Sequence, residues 1–174
     1  MSPRLVGFRN LPLDNSRYND YVGAVTLQTT AVARLEDQVF VAILRIADSL
    51  AQDAEQLIKS AGLTSAQYNV LRILRGAEPH GLLCRGIAER MISRDPDMTR
   101  LLDRMEKHSW ISRQRQQDDR RVIKTRITPE GLKLLKKLDQ PIHDLHKEQF
   151  RHMTAARLKL LSELLSEAAK RASQ

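Results

Sequence analysis

The sequence predicts a mainly α-helical fold with a small β-wing, on three observations. Apolar residues recur at three- and four-residue spacing over most of the 174-residue chain, the period of amphipathic helices. Aromatic residues make up only 4% of it, while Leu, Ala, Arg and Glu recur, which disfavours a β-sandwich. After Lys107 the period changes from helical to alternating, most plainly where Ile123, Thr125 and Ile127 take one face and Lys124 and Arg126 the other, as a hairpin strand requires. A chain of this length can bury a sizeable core.

The formal net charge is +8, and its placement says more than its size. Residues 80–137 carry 15 basic and 8 acidic side chains, so nearly the whole excess falls in one third of the chain. A polyanion is the expected partner, nucleic acid before membrane, because no segment joins a basic face to a broad aromatic or Leu-rich one. The longest apolar run, near Val39 to Ile46, is broken by Arg45 and is far too short to span a bilayer. With no apolar signal core at the N-terminus and one cysteine, Cys84, the reading is a soluble cytoplasmic protein.

Residues 1–30, with Pro3, Gly7 and Pro12, show no sustained period and read as an N-terminal arm or extension. From about Ala31 to Ser60 a long amphipathic helix is expected on Leu35, Val39, Ile43, Ile46, Leu50, Ala54, Leu57 and Ile58, with Gly62 as its stop. Thr64 and Gln67 are placed for a capping box and Leu63 and Tyr68 for the accompanying staple, so a second helix starts here and ends near Gly76. A short helix follows, with Leu83, Ile87, Ala88 and Met91 inward and Arg85, Glu89 and Arg90 outward.

The stretch from Asp95 to Lys107 carries the strongest functional signal. Asp95 is placed to cap a helix and Pro96 to occupy its first position. Met98, Leu101, Leu102 and Met105 then gather on one face, leaving Thr99, Arg100, Asp103, Arg104 and Lys107 on the other. Arginine and lysine suit phosphates and guanine edges, and threonine a base or a thymine methyl. Two short helices joined tightly, the second basic outside, form a helix-turn-helix.

Beyond Lys107, a strand from Trp110 to Arg115, a polar turn at Gln116 to Asp119 and a returning strand from Arg121 to Ile127 make a hairpin with a basic tip. A hairpin directly after a basic helix is the wing of a winged helix. Thr128 caps the next helix, with Pro129 in its first turn, an apolar stripe of Leu132, Leu135, Leu138, Ile142 and Leu145, and a kink at Pro141. Thr154 caps a last helix with Leu158, Leu161, Leu164 and Leu165 on one side. The outer helices carry more apolar surface than one small winged helix covers, so a homodimer is expected.

Three further groups bear on chemistry. Cys84 lies beside Arg85, which favours a thiolate, yet no second cysteine exists to resolve an oxidised form, and an inert small residue is the plainer reading. His143 and His146 stand three apart near His152, Asp144 and Glu148, a candidate metal pair that equally suits a solvated helix face. No Gly-rich phosphate loop, Gly-x-Ser-x-Gly elbow or His-Glu-x-x-His motif is present, so no enzyme is expected.

In order and spacing, four segments resemble the multiple-antibiotic-resistance regulator (MarR) family of winged-helix transcription factors. They are Leu63 to Leu71, Gly86 to Met91, Met98 to Glu106, and Asp118 to Arg121 followed by Ile127 to Gly131. The resemblance implies a dimer knitted from N- and C-terminal helices, with two winged helices set on successive major grooves of a pseudo-palindromic operator. It also implies that Arg121 reaches into the minor groove, oriented by an ion pair with Asp119, and that a small, often phenolic, effector binds between the dimer helices and the DNA-binding lobe. The first 30 residues exceed the usual family start.

The expected organisation is therefore an arm at 1–30, a winged helix-turn-helix DNA-binding lobe at 63–127, and dimerisation helices at 31–62 and 128–174. The expected function is a dimeric, sequence-specific regulator on double-stranded DNA, a repressor relieved by a ligand, without cofactor. The residues expected at DNA are Thr99, Arg100, Asp103, Arg104 and Lys107, with Arg94 before the helix and Arg120, Arg121 and Lys124 on the hairpin. The competing reading is a winged-helix interaction module whose basic face docks on an acidic protein.

Overall fold

A computed structural model describes residues 34–93, 97–115 and 123–171. In chain order the elements are α1 (Leu35–Ser60), α2 (Ser65–Arg75), β1 (Leu82–Leu83), α3 (Cys84–Ala88), α4 (Met98–Lys107), β2 (Ile111–Arg115), β3 (Ile123–Ile127), α5 (Pro129–Gln149) and α6 (Ala155–Arg171). The fold is thus mainly helical, with one antiparallel sheet in the order β1-β3-β2. Contacts divide the chain into a unit ending at Ser49 and a second running from Leu50 to Gln174. Among the described residues no helix is long and apolar enough to cross a membrane.

Local chemistry sets most of the boundaries. At the end of α1, Gly62 takes φ 80°, its amide donates to the Lys59 carbonyl at 2.9 Å, and that of Leu63 donates to Ile58 at 3.3 Å. This paired closure satisfies carbonyls the helix leaves open and requires a left-handed residue. Two residues later the expected capping box forms: the Thr64 hydroxyl accepts from the Gln67 amide at 3.2 Å, and the Thr64 amide donates to Gln67 Oε1 at 2.9 Å. Leu63 and Tyr68 are both buried, as the staple requires.

The core lies in the second unit. Leu71 and Leu74 of α2, Ile87 of α3, Leu101 and Met105 of α4, Ile111 of β2 and Leu135 of α5 are all buried in one cluster. In the sheet, Ile111 faces Ile127 and Arg115 faces Ile123, while Leu82 and Leu83 pair with Thr125 and Lys124. Thr128 caps α5, its hydroxyl accepting from the Gly131 amide at 3.1 Å, with Pro129 in the first turn and Pro141 within one continuous helix. Thr154 caps α6, accepting from the Arg157 amide at 3.4 Å.

Several expectations need correction. The helix at 98–107 is capped by Asp97, not Asp95, and begins at Met98 rather than Pro96, because the Asp97 carboxylate accepts from the Arg100 amide at 3.2 Å. Leu82 and Leu83 form a strand where the periodicity predicts none; their pairing with β3 turns Leu83 outward and shortens α3. Ala88 is exposed rather than inward, and so is Leu132 of α5. Apolar residues flanking a five-residue helix can satisfy its period without being covered by it.

The foot of the hairpin is held against the start of α5. The Thr128 amide donates to the Trp110 carbonyl at 3.1 Å, and its hydroxyl donates to the Ser109 carbonyl at 2.6 Å. A Cβ on Gly131 would collide with the Trp110 carbonyl oxygen and approach Ile127 Cγ1 to 2.9 Å. Gly131→Ala should therefore destabilise by about 1–3 kcal/mol through overpacking. Gly62→Ala meets open space and should cost only about 1–2 kcal/mol, from its left-handed backbone. Urea unfolding midpoints measure both, and a clearly larger loss at Gly62 would contradict the close approach at Gly131.

Candidate nucleic-acid interface

The geometry of α4 follows from its two faces. Met98, Leu101, Leu102 and Met105 are all at most 8% exposed, which fixes the helix by one stripe and leaves the opposite arc to solvent. Thr99, Arg100, Arg104 and Lys107 are exposed on that arc. Arg100 leans back on its own cap, Nε lying 3.0 Å from Asp97 Oδ2, with 83% of its side chain exposed. Such an exposed pair is weak and salt-sensitive, so Arg100 can turn to a stronger anion at little cost.

Asp103 is expected at DNA beside these cations. In the structure its carboxylate engages the hairpin, where Oδ1 lies 2.6 Å from Nη2 of Arg113 on β2. The same guanidinium donates to Glu106 Oε2 from Nε at 2.8 Å and from Nη2 at 2.6 Å. The Arg113 amide completes the set by donating to Glu106 Oε1 at 3.0 Å. Hydrogen bonding to Glu106, reinforced by Asp103, holds the Arg113 guanidinium above its ordinary pKa, so it remains charged throughout the working range.

A second tie positions the approach to α4. The side-chain oxygen of Asn69, on α2, accepts from the Ile92 amide at 2.9 Å, anchoring a segment whose Ile92 side chain is itself exposed. Farther back, Arg75 of α2 grips both oxygens of Asp139 on α5 at 2.9 and 2.8 Å, and Arg72 lies 5.8 Å above the Tyr68 ring. Periodicity and motif singled out none of Asn69, Glu106 and Arg113. The one signal in the sequence is that Asp103 and Glu106 are three apart on a helix directly before a strand bearing Arg113.

The remaining expected residues divide simply. Lys124 sits in β3, half-buried, paired with Leu83 on one side and Gln114 on the other. Arg94, Asp119, Arg120 and Arg121 lie outside the described residues. Cys84 is an exposed thiol at the first position of α3. His143 and His146 lie on α5, both exposed, and among the described residues no three potential metal ligands come together.

A cationic helix seated by its apolar stripe, a short helix before it and a sheet behind it define a winged helix-turn-helix, a DNA-binding class. Comparison with known proteins gives this class a family. Residues 63–123 match the MarR family pattern. The chain is 31% identical over 105 residues to the multiple antibiotic resistance protein MarR of Salmonella typhimurium, covering 59% of this chain and 71% of that one. It is 26% identical over 133 residues to the homoprotocatechuate degradative operon repressor of Escherichia coli, covering 76% and 88%. The crystal structure of a MarR transcription factor from Planctomyces limnophilus superposes with a TM-score of 0.59 at 34% identity, covering 77% of this chain and 97% of that one. The protein belongs to the MarR family: it is a transcription regulator, not an enzyme.

Removing the Asn69 oxygen tests the second tie. Asn69→Ala should cost about 1 kcal/mol of stability and abolish the slow hydrogen exchange of the Ile92 amide. Protection surviving in the variant would show that Asn69 does not hold this segment.

Proposed function

We propose that the protein is a dimeric repressor that binds a pseudo-palindromic operator in the cytoplasm and is released from it by a small phenolic effector. The observation that carries the DNA reading is the arc of Thr99, Arg100, Arg104 and Lys107, exposed along a helix whose other face is locked into the core. A helix so held presents side chains at fixed spacing to a major groove. In this reading Arg100, Arg104 and Lys107 anchor to phosphates or base edges, Thr99 contributes to base readout, and Lys124 adds charge at the hairpin. Arg94, Arg120 and Arg121 extend the interface, Arg121 into the minor groove with Asp119 orienting it.

Pairing of two copies is supported by apolar residues left open on the outer helices. Leu35, Val39, Phe40 and Ile46 of α1 and Leu160, Leu164 and Leu165 of α6 are each more than 40% exposed. These belong to the segments 31–62 and 128–174, which we assign to dimerisation, with 63–127 as the DNA-binding lobe and 1–30 as an extension. Two lobes on one face of a duplex then meet half-sites about one helical turn apart, roughly 34 Å. Repression and the phenolic effector rest on the relative named for a homoprotocatechuate degradative operon, homoprotocatechuate being a phenolic acid.

Selection of sites from a random DNA pool, followed by anisotropy titrations over a range of salt, tests this reading. Arg104→Ala should weaken operator and random DNA alike, and reduce the salt slope by about 0.9, the share of a single neutralised phosphate. Thr99→Ala should erode the operator-to-random ratio and leave the slope unchanged. No enrichment of any site, together with no shift on duplex DNA at moderate salt, would overturn the DNA assignment.

A further inference from the structure

We infer that Arg113 is a positioning residue for DNA binding: with Glu106 and Asp103 it clamps the recognition helix to the foot of the wing and takes two carboxylates off the DNA-facing arc. The inference rests on the DNA-binding reading above and goes beyond it. Three residues that need not touch DNA decide whether helix and hairpin present one surface or two.

The geometry is specific to arginine. Nε and Nη2 converge on one Glu106 oxygen, Nη2 also meets Asp103, and the Arg113 backbone amide meets the other Glu106 oxygen. Both side chain and main chain of β2 are therefore fixed to α4. A lysine supplies charge but no fork, so it cannot hold two carboxylates in this arrangement. Arg113 is also the most enclosed of the three, its side chain 27% exposed against 44% for Asp103 and 37% for Glu106.

Electrostatics gives the clamp a second consequence. By helical geometry Asp103 lies within the polar arc that carries Arg100, Arg104 and Lys107, and Glu106 lies at its border. Unpaired, two carboxylates there would repel phosphates approaching those cations. Paired to Arg113, the group carries one net negative charge instead of two and is drawn toward the sheet, so the cations of the arc meet less opposition in presenting themselves to an incoming duplex.

The test exploits a conflict of sign. If Asp103 and Glu106 acted only through their charge, Glu106→Gln would raise DNA affinity, because a negative group near phosphate is gone. The clamp requires the opposite: operator affinity should fall roughly ten- to a hundredfold, the scale of coupling within a charged hydrogen-bonded network, although the net charge becomes more positive. Arg113→Lys should produce a similar fall with the salt slope unchanged, since the same phosphates remain neutralised. The double variant should fall no further than either single one.

Urea unfolding of each variant, with affinities referred to folded protein, separates positioning from simple loss of structure. Wild-type binding to selected operator tests the underlying reading by itself. If the wild type binds while both variants bind as tightly per folded molecule, the clamp is overturned and the DNA reading stands. A salt slope reduced by about 0.9 in Arg113→Gln, which removes the charge itself, would make Arg113 a direct phosphate ligand, which also overturns it. A changed base preference confined to Asp103→Asn, with Arg113→Lys unaffected, would assign Asp103 to base readout and overturn the clamp as well.

Discussion

What α4 shows to its surroundings depends on the burial of one stripe along it. Met98, Leu101, Leu102 and Met105 turn away from water into the cluster formed with α2, α3, β2 and α5. The hydrophobic term is not directional in itself, but on a helix it becomes so, because burying one face fixes what the other face shows. The cations of α4 are displayed by packing that involves none of them.

The same division explains how much is legible in the sequence. The caps at Thr64, Thr128 and Thr154 and the stop at Gly62 can be read because each uses atoms within a few residues. The hairpin can be read from its alternation. Asp97 displaces Asp95 as the cap of α4 because two nearby aspartates offer the same chemistry, and only the backbone path decides between them. The two-residue strand at Leu82 is beyond reach, since it exists only through pairing with β3, far along the chain.

The candidate site shows the same limit more sharply. Thr99, Arg100, Arg104 and Lys107 can be named from periodicity, because exposure on a helix is periodic. The involvement of Arg113 cannot, because it depends on where β2 begins relative to α4, set by the tight turn at Ser109 with φ 58°. Asp103 belongs to the arc by its spacing, and its tie to Arg113 becomes visible only with the sheet in place. Asn69 is a further case: a polar residue on an amphipathic helix reads as solvated until the Ile92 amide arrives beside it.

The seating of α5 has a mechanical side. Its first turn is bonded through Thr128 to the carbonyls of Ser109 and Trp110, with Gly131 leaving no slack between the two backbones. The helix then runs to Gln149 with Pro141 inside it, a length of roughly 30 Å. Its first turn and the root of the wing are joined as one piece. Any tilt of this helix would therefore act first on the hairpin's root, before it reached any of the exposed cations.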